Sequence, residues 1–418
     1  MTEYKKLLSK LLLLVVNKFS VKTVFALVIV FAVWGHFLYS NRQFPLPEVN
    51  PSQAAISEIS SLSNKAPLVL FAQPDTGYKK IEEFINNAQH SVDLVIYELD
   101  DRAIEQALVN AQKRGVLVRV ILENVNTFGK HPNQSAYDFL KNNQVPIKWA
   151  PEYFTLTHQK TLIVDNQFAV VMTFNLVSRY YDSSRDFAII DSEAKDITAI
   201  KKAFESDWNG QRIPATQGNN LVWSPGASEV LLELINSATT SLDIYSLLMS
   251  EPRITDALKK ASQRGILVRV IMTYATSWKD ALSELSDAGV IVKTYASSAD
   301  KFIHAKVIIA DSAKVFVGSQ NFSTQSLEGN RELGVLISRE DIISSLESTF
   351  ISDWNEARPF VSSSQKKSTD TFIKLSKSGI CHSPDSSSYS QTKSFTAYAT
   401  LEECLSAGGK LPASKNKN

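Results

Sequence analysis

His304-Ala305-Lys306-Val307-Ile308-Ile309-Ala310-Asp311, with Gly318-Ser319-Gln320-Asn321 a few residues on, is one of two versions of the same peptide in this chain. The other is His158-Gln159-Lys160-Thr161-Leu162-Ile163-Val164-Asp165, followed by Met172-Thr173-Phe174-Asn175. In each, His and Lys stand two apart, which predicts two side chains on one face of a strand. A short apolar run leads from the lysine to an aspartate, and a hydroxyl residue and an asparagine follow.

The likeness spreads outward from these peptides. Arg114-Gly115-Val116-Leu117-Val118-Arg119-Val120-Ile121 matches Arg264-Gly265-Ile266-Leu267-Val268-Arg269-Val270-Ile271 at an offset of 150 (264 − 114). The two histidines are offset by 146 (304 − 158), and Asp207-Trp208-Asn209 matches Asp353-Trp354-Asn355 at the same 146 (353 − 207). A whole half-domain is duplicated, which is not the pattern of a short solenoid repeat. In the first half, Leu68–Phe71 reads as a strand, Lys79–Ala88 as an amphipathic helix and Val92–Tyr97 as a strand. Asp101–Lys113 follows as a helix, stopped by Gly115 before a strand over Val116–Leu122. Leu231–Ala238, Leu242–Tyr245, Ile254–Gln263 and Ile266–Met272 repeat that order. The fold class is α/β, and the β-α-β-α-β lead-in predicts mostly parallel sheets with helices on their faces.

The 418 residues suffice for two ordinary domains with cores, and a net charge of +1 argues against a strongly basic nucleic-acid binder. No Cys/His cluster has zinc spacing, so neither a metal nor a cofactor is expected. Thr23–Tyr39 is almost wholly apolar, follows Lys5, Lys6, Lys10, Lys18 and Lys22, and has only Arg42 close behind. It is at the short end of what spans a bilayer. The lysine bias predicts an N-terminus in the cytoplasm and the body of the chain on the extracytoplasmic side. No small-residue cleavage site follows, which favours a retained transmembrane helix over a removed signal; cleavage would give a secreted protein.

The chain therefore divides into a cytoplasmic stub and anchor over 1–40, a Pro- and Ser-containing tether over 41–66 and a first half over 67–215. A second half over 216–360, a polar linker over 361–378 and a small Cys-containing segment over 379–418 complete it. Outside the membrane, Cys381 and Cys404 are in position for a disulfide that would staple a segment too small for its own core. The alternative is two unrelated free thiols.

The paired peptides resemble the HxKxxxxD motifs of the phospholipase D superfamily, over roughly residues 68–359. The second copy has the full pattern, with Asn330-Arg331-Glu332 downstream. The first departs from it where Met172 stands in place of Gly318. The resemblance implies two phospholipase D-like halves packed about a pseudo-twofold axis, with the motifs meeting between them and no metal required. It also implies the chemistry. Lys160 and Lys306, aided by Asn175, Asn321, Thr173 and Ser319, would neutralise the nonbridging oxygens of a phosphodiester. One histidine would form a phosphohistidine and the other would protonate the leaving oxygen, then activate water or an alcohol. By resemblance His158 is the nucleophile and His304 the acid/base, though the near-symmetry allows the reverse. Asp186 and Glu332 would accept from the histidine rings and fix their tautomers. Asp165 and Asp311 read as structural, and Arg185 and Arg331 either touch phosphate or form internal salt bridges.

Three functions follow. The first is a membrane-anchored phosphodiesterase of the phospholipase D type, hydrolysing or transphosphatidylating phospholipids at a membrane. It needs no protein partner, since a monomer supplies both histidines. The second is a metal-independent nuclease acting on DNA or RNA. The third is a non-enzymatic relative whose first site Met172 has spoiled. A lipid enzyme should place Tyr153, Phe154, Phe174, Tyr180, Tyr181 and Phe322 around the histidines.

Overall fold

The computed structural model describes residues 68–76, 78–362 and 372–412. The expected stub, anchor and tether lie outside the described residues. Among the described residues no helix is long and apolar enough to cross a membrane.

The first half contributes β1 (Leu68–Gln73), β2 (Ser91–Ile96), β3 (Leu117–Leu122), β4 (Ile147–Trp149), β5 (Thr161–Val164), β6 (Phe168–Met172) and β7 (Ser184–Asp191). They lie side by side in the order β1-β7-β6-β5-β2-β3-β4. The second half contributes β8 (Leu221–Ser224), β9 (Ser241–Tyr245), β10 (Leu267–Thr273), β11 (Ile291–Tyr295), β12 (Val307–Ala310), β13 (Lys314–Gly318) and β14 (Glu332–Ile337), in the matching order β8-β14-β13-β12-β9-β10-β11. The duplication is thus complete at the level of topology.

The sheets are not mostly parallel. Among the strands just named, only β2-β3-β4 and β9-β10-β11 are parallel; the other neighbours run antiparallel. The helical crossovers visible at the start of each half do give parallel pairs. The motif strands instead belong to hairpins. Asp165 and Asn166, at φ 53° and 54°, turn β5 directly back into β6, and Asp311 and Ser312, both at 54°, do the same in the second half.

Each sheet buries both faces. Val92, Leu94 and Ile96 of β2 pack against α1 (Lys79–Asn87), α2 (Arg102–Lys113) and α3 (Gln134–Asn142), while Val95 faces the other half. The second half repeats this with α5 (Ala227–Ser237), α6 (Pro252–Gln263) and α7 (Lys279–Asp287). Between the two sheets, α4 (Ala194–Trp208) and α9 (Glu340–Glu356) share one core with Phe187, Tyr245 and Leu333 from both halves; a short α8 (Thr324–Glu328) lies at the edge of the second half. The layers are helix, sheet, paired helices, sheet, helix. Asp101 caps α2 through the Ala103 and Ile104 amides, and Gly115 and Gly265, at φ 91° and 89°, close the helices before β3 and β10.

The repeated arginines explain the repeated tryptophans. Arg119 pairs with Asp93 and Glu205 and lies over Phe204 and Trp208. Arg269 pairs with Asp243 and lies over Phe350 and Trp354. Each tryptophan therefore pins its central helix to its own sheet.

The C-terminal segment begins earlier than the sequence suggested. Ile373–Ser376, assigned above to the linker, is the middle strand of a three-stranded sheet with Cys381–His382 and Phe395–Tyr398. Its alternation is too short to stand out from the serine-rich stretch before it. Cys381 and Cys404 are joined by a disulfide and, with Ile373, form nearly all of the module's core.

Candidate active site

The histidine and lysine of each motif precede the strand rather than lie within it. Residues 155–160 leave the second half and enter the first at β5, and residues 302–306 do the reverse at β12. The crossing is hydrogen-bonded. Thr157 bridges Arg331 in parallel fashion, with His158 N donating to Arg331 O at 2.9 Å. Phe302–Ile303 pairs in parallel with Ser184–Arg185, with His304 N donating to Arg185 O at 3.2 Å. The residue before each histidine is held by the end of a parallel strand: Thr157 N donates to Glu123 Oε2 at 2.5 Å, and Ile303 N to Thr273 Oγ1 at 2.7 Å. Glu123 and Thr273 occupy equivalent positions (273 − 123 = 150), but their unlike side chains hid that role in the sequence.

The acids are exchanged between halves. His158 Nδ1 meets Glu332 Oε2 at 2.8 Å, and His304 Nδ1 meets Asp186 Oδ1 at 2.9 Å. Each motif thus carries the carboxylate that orients the other motif's histidine. Glu332 also accepts from Ser326 Oγ at 2.5 Å and Asn330 Nδ2 at 3.0 Å, so its geometry is over-determined. With Nδ1–H donated to a carboxylate, the Nε2 lone pair is the reactive one in both rings.

The lysines are fully buried, with Lys160 Nζ on His158 O at 2.6 Å and Lys306 Nζ within 3.2 Å of His304 Nε2. Burial and the neighbouring Lys306 hold Lys160 well below the ordinary lysine range, against the pull of Glu332. Burial pushes Lys306 down to about 8. Burial, reinforced by Lys160, takes His158 down to about 4 despite Glu332. His304 is lowered too, by burial against the pull of Asp186. Burial thus disfavours the charged forms of both lysines and both histidines, and an anionic phosphodiester between them would favour those forms.

Two of the four expected phosphate ligands fit that role. Asn175 and Asn321, at equivalent positions, each bury an Oδ1 with no hydrogen-bond partner among the described residues; that oxygen can only accept, so it is the Nδ2 of each amide that would donate to a nonbridging oxygen. An amide left unsatisfied in both halves points to a ligand between them. The hydroxyls do not fit. Thr173 Oγ1 donates to Asp186 at 2.5 Å and accepts from Phe187 N at 2.9 Å. Ser319 Oγ donates to Leu333 O at 3.3 Å and accepts from Leu333 N at 3.1 Å. Both are fully buried, with their protons committed to the protein.

Asp165 lies away from the chemistry. Its carboxylate accepts from the Gln89, His90 and Ser91 amides, and Asp311 accepts from those of Thr239, Thr240 and Ser241. Each ties its hairpin turn to the start of the neighbouring strand. Arg331 and Arg185 make internal salt bridges, to Asp207 and Asp353 of the opposite half. Four of the six aromatic residues expected around the histidines are committed elsewhere. Phe174 and Phe322 are core residues of their own halves, Tyr181 donates to Asp101, and Tyr153 donates to Asp207.

Met172 does not reach the site. It is fully buried in the helix-side core of the first half, with Val170, Phe174 and Ala188 around the same place. In the second half the corresponding residues are Phe316, Gln320 and Gly334. A Cβ on Gly318 there would meet Gln320 Oε1 at 2.4 Å and Gly334 Cα at 2.6 Å. Phe316, larger than Val170, and the Gln320 amide crowd this position and demand glycine, whereas the smaller Val170 leaves space that Met172 fills. Met172→Ala is expected to lower stability by about 2–4 kcal/mol in urea denaturation while kcat and KM stay near wild type. A large loss of kcat in a folded variant would restore Met172 to the chemistry.

Residues 81–208 and 231–354, together more than half of the chain, each match the model of the family described as "Cardiolipin synthase, PLD-like domain". The chain belongs to the phospholipase D superfamily. Within it, the chain is similar to cardiolipin synthase 1 of Staphylococcus epidermidis, 24% identical over 71% of this chain and 69% of that one. Cardiolipin synthase of Clostridium perfringens is 26% identical over 68% of each chain, and cardiolipin synthase A of Proteus mirabilis 24% over 77% of each. Among solved structures, phosphatidylserine synthase of Haemophilus influenzae shares the fold at a TM-score of 0.56 and 11% identity, over 73% of this chain and 92% of that one. Polyphosphate kinase of Porphyromonas gingivalis does so at 0.56 and 13%, over 69% of this chain and 47% of its own length. The superfamily's paired motifs make the chain a phosphodiesterase-type enzyme with two phospholipase D-like repeats.

Proposed function

We propose that this enzyme transfers a phosphatidyl group from one phospholipid to an alcohol, in the manner of a cardiolipin synthase, through a phosphohistidine on His158. The observation that carries the reading is the pairing of two buried histidines, each oriented by the other half's acid, around two lysines and two unsatisfied asparagine amides. The names of its relatives support a lipid substrate. The enclosure of the histidines, whose side chains are 9% and 17% exposed, supports transfer to a bound alcohol over hydrolysis by bulk water.

In the first step His158 Nε2 attacks phosphorus and the bond to the leaving alcohol breaks. The departing oxygen takes its proton from His304 Nε2. In the second, the acceptor hydroxyl gives its proton to His304 and attacks phosphorus, and the bond to His158 breaks. Glu332 and Asp186 hold each ring and balance the imidazolium that forms. The Lys160 and Lys306 ammonium groups, whose charged form the bound anion favours, and the Nδ2 groups of Asn175 and Asn321 hold the nonbridging oxygens.

On this reading the body lies on the extracytoplasmic side of a membrane, tethered through the apolar segment Thr23–Tyr39. The Cys381–Cys404 disulfide supports an oxidising compartment.

The test is the full chain in phosphatidylglycerol bilayers, with EDTA present, read for cardiolipin and glycerol. Phosphatidic acid as the main product would make it a hydrolase. Plasmid cleavage without lipid turnover would overturn the lipid reading in favour of a nuclease.

The pH dependence follows from the site. kcat/KM is expected to rise with pH through about 4 as His158 loses its proton. It should fall again on the acid side of neutrality, where His304, held below the ordinary histidine value, gives up the proton that the leaving oxygen needs. Saturating substrate should move the second limb to higher pH, because the bound negative charge favours the imidazolium. A kcat/KM that keeps rising through neutrality would exclude His304 as the acid.

A further inference from the structure

The twofold pattern of the site is broken at one aromatic ring. The strands β2 and β9 are equivalent residue by residue, since Ser91 pairs with Leu117 as Ser241 pairs with Leu267. Tyr97, one residue past β2, therefore corresponds to Leu247. The Tyr97 ring is buried and packs edge-on against the His158 imidazole, with centroids 4.6 Å apart. Its face carries the Lys160 ammonium at 5.0 Å. It cannot swing aside. Its hydroxyl accepts from Thr127 N at 2.9 Å and pairs with Thr127 Oγ1 at 3.0 Å, and its carbonyl accepts from Asn133 at 2.7 Å.

The consequence shows in the two lysines. Lys306 has no such ring, and its ammonium lies across the face of its own histidine, 3.3 Å from His304 Nδ1 and 3.2 Å from Nε2. A cation over the ring makes both nitrogens poorer nucleophiles and makes the imidazolium, once formed, a stronger acid toward the leaving oxygen. On the other side, the π face of Tyr97 draws the Lys160 ammonium off the imidazole. Among the described residues no hydrogen bond is made to His158 Nε2, so its lone pair faces the site.

We propose that Tyr97 is the positioning residue that makes the two histidines inequivalent, directing attack to His158 and leaving His304 as the acid/base. The inference rests on the two-histidine phosphodiester chemistry proposed above, but not on the substrate being a lipid. Tyr97 acts through Lys160 and His158 and touches no reacting atom.

The test is acid-quench trapping of the phosphoryl-enzyme in the full chain, with the labelled histidine located by mass spectrometry. Both bis(p-nitrophenyl) phosphate and phosphatidylglycerol serve as donors. Wild type should be labelled on His158, and Tyr97→Phe, which keeps the π face, should behave alike. Tyr97→Leu, which copies the second half, should slow labelling of His158 about tenfold and bring label onto His304. Leu247→Tyr in the otherwise unchanged enzyme should bring label onto His304 as well, which keeps the inference testable if Tyr97→Leu fails to fold. Wild-type labelling on His304, unaltered labelling of His158 in folded Tyr97→Leu, or no label on His304 in folded Leu247→Tyr would each overturn it. Labelling by the nitrophenyl ester alone, with the expected shifts in the variants, would leave the inference standing and remove the lipid reading.

Discussion

His158→Ala and His304→Ala are each expected to lower kcat on the order of 10⁴-fold or more, because each ring acts in both chemical steps. The two losses should differ in kind. Without His158 no phosphoryl-enzyme can form. Without His304 the first step still proceeds on a donor such as bis(p-nitrophenyl) phosphate, whose leaving group departs without a proton, so the intermediate should accumulate and turn over slowly. Burst kinetics on the two variants separates these outcomes. Near wild-type turnover in either would end the two-histidine mechanism. Glu332→Gln and Asp186→Asn should cost less, since each amide keeps a hydrogen-bond acceptor for the Nδ1–H while losing the charge that stabilises the imidazolium. Because the acids are exchanged between halves, Glu332→Gln should impair the His158 step and Asp186→Asn the His304 step.

The second large effect is on stability. Asp353 is fully buried and accepts from Arg185 Nε at 2.6 Å, Arg185 NH2 at 3.0 Å, Lys301 Nζ at 2.7 Å and the Tyr245 hydroxyl at 2.7 Å. Arg185, whose side chain is 4% exposed, comes from the opposite half. Asp353→Ala leaves that guanidinium buried with most of its compensation gone, and a loss of about 3–5 kcal/mol is expected. Asp207→Ala should behave alike, because Arg331 meets Asp207 at 2.8 Å through both Nε and NH2. Urea denaturation measures both. A loss under about 1 kcal/mol would mean that the clamp carries no more than a surface ion pair. Activity should fall along with stability, since the carbonyls of Arg185 and Arg331 hold the backbone amides of His304 and His158.

Much of this was legible in the chain. The repeats at offsets of 146 and 150 showed two halves. The helix-then-strand openings of each half were placed within a few residues, because amphipathic spacing and a terminal glycine are local signals. The pairing of the strands was not legible. A helical crossover implies a parallel neighbour, but nothing local shows that β1 lies at the far edge of its sheet beside β7, where sequence neighbours are remote.

The candidate site divides the same way. The histidines, lysines, asparagines and acids were all named from the duplicated motifs and the family resemblance that those motifs carry. Thr173 and Ser319 were misjudged because a hydroxyl's role depends on where its proton goes, and Asp186 and Leu333 take it. Tyr97 and Glu123 were passed over because each has an unlike counterpart, Leu247 and Thr273, so comparing the halves did not flag them.

What the sequence by itself determined is the inventory: two phosphodiester motifs, duplicated, with every charged group needed for the chemistry. The duplicated peptides and the resemblance they carry suffice for that, because a motif is written within a few residues of chain. Only the tertiary structure decided which acid serves which histidine, which lysine leans on its imidazole, and that Met172 points into a core. Those outcomes depend on two segments crossing between halves, and contacts made across that crossing join residues more than a hundred positions apart.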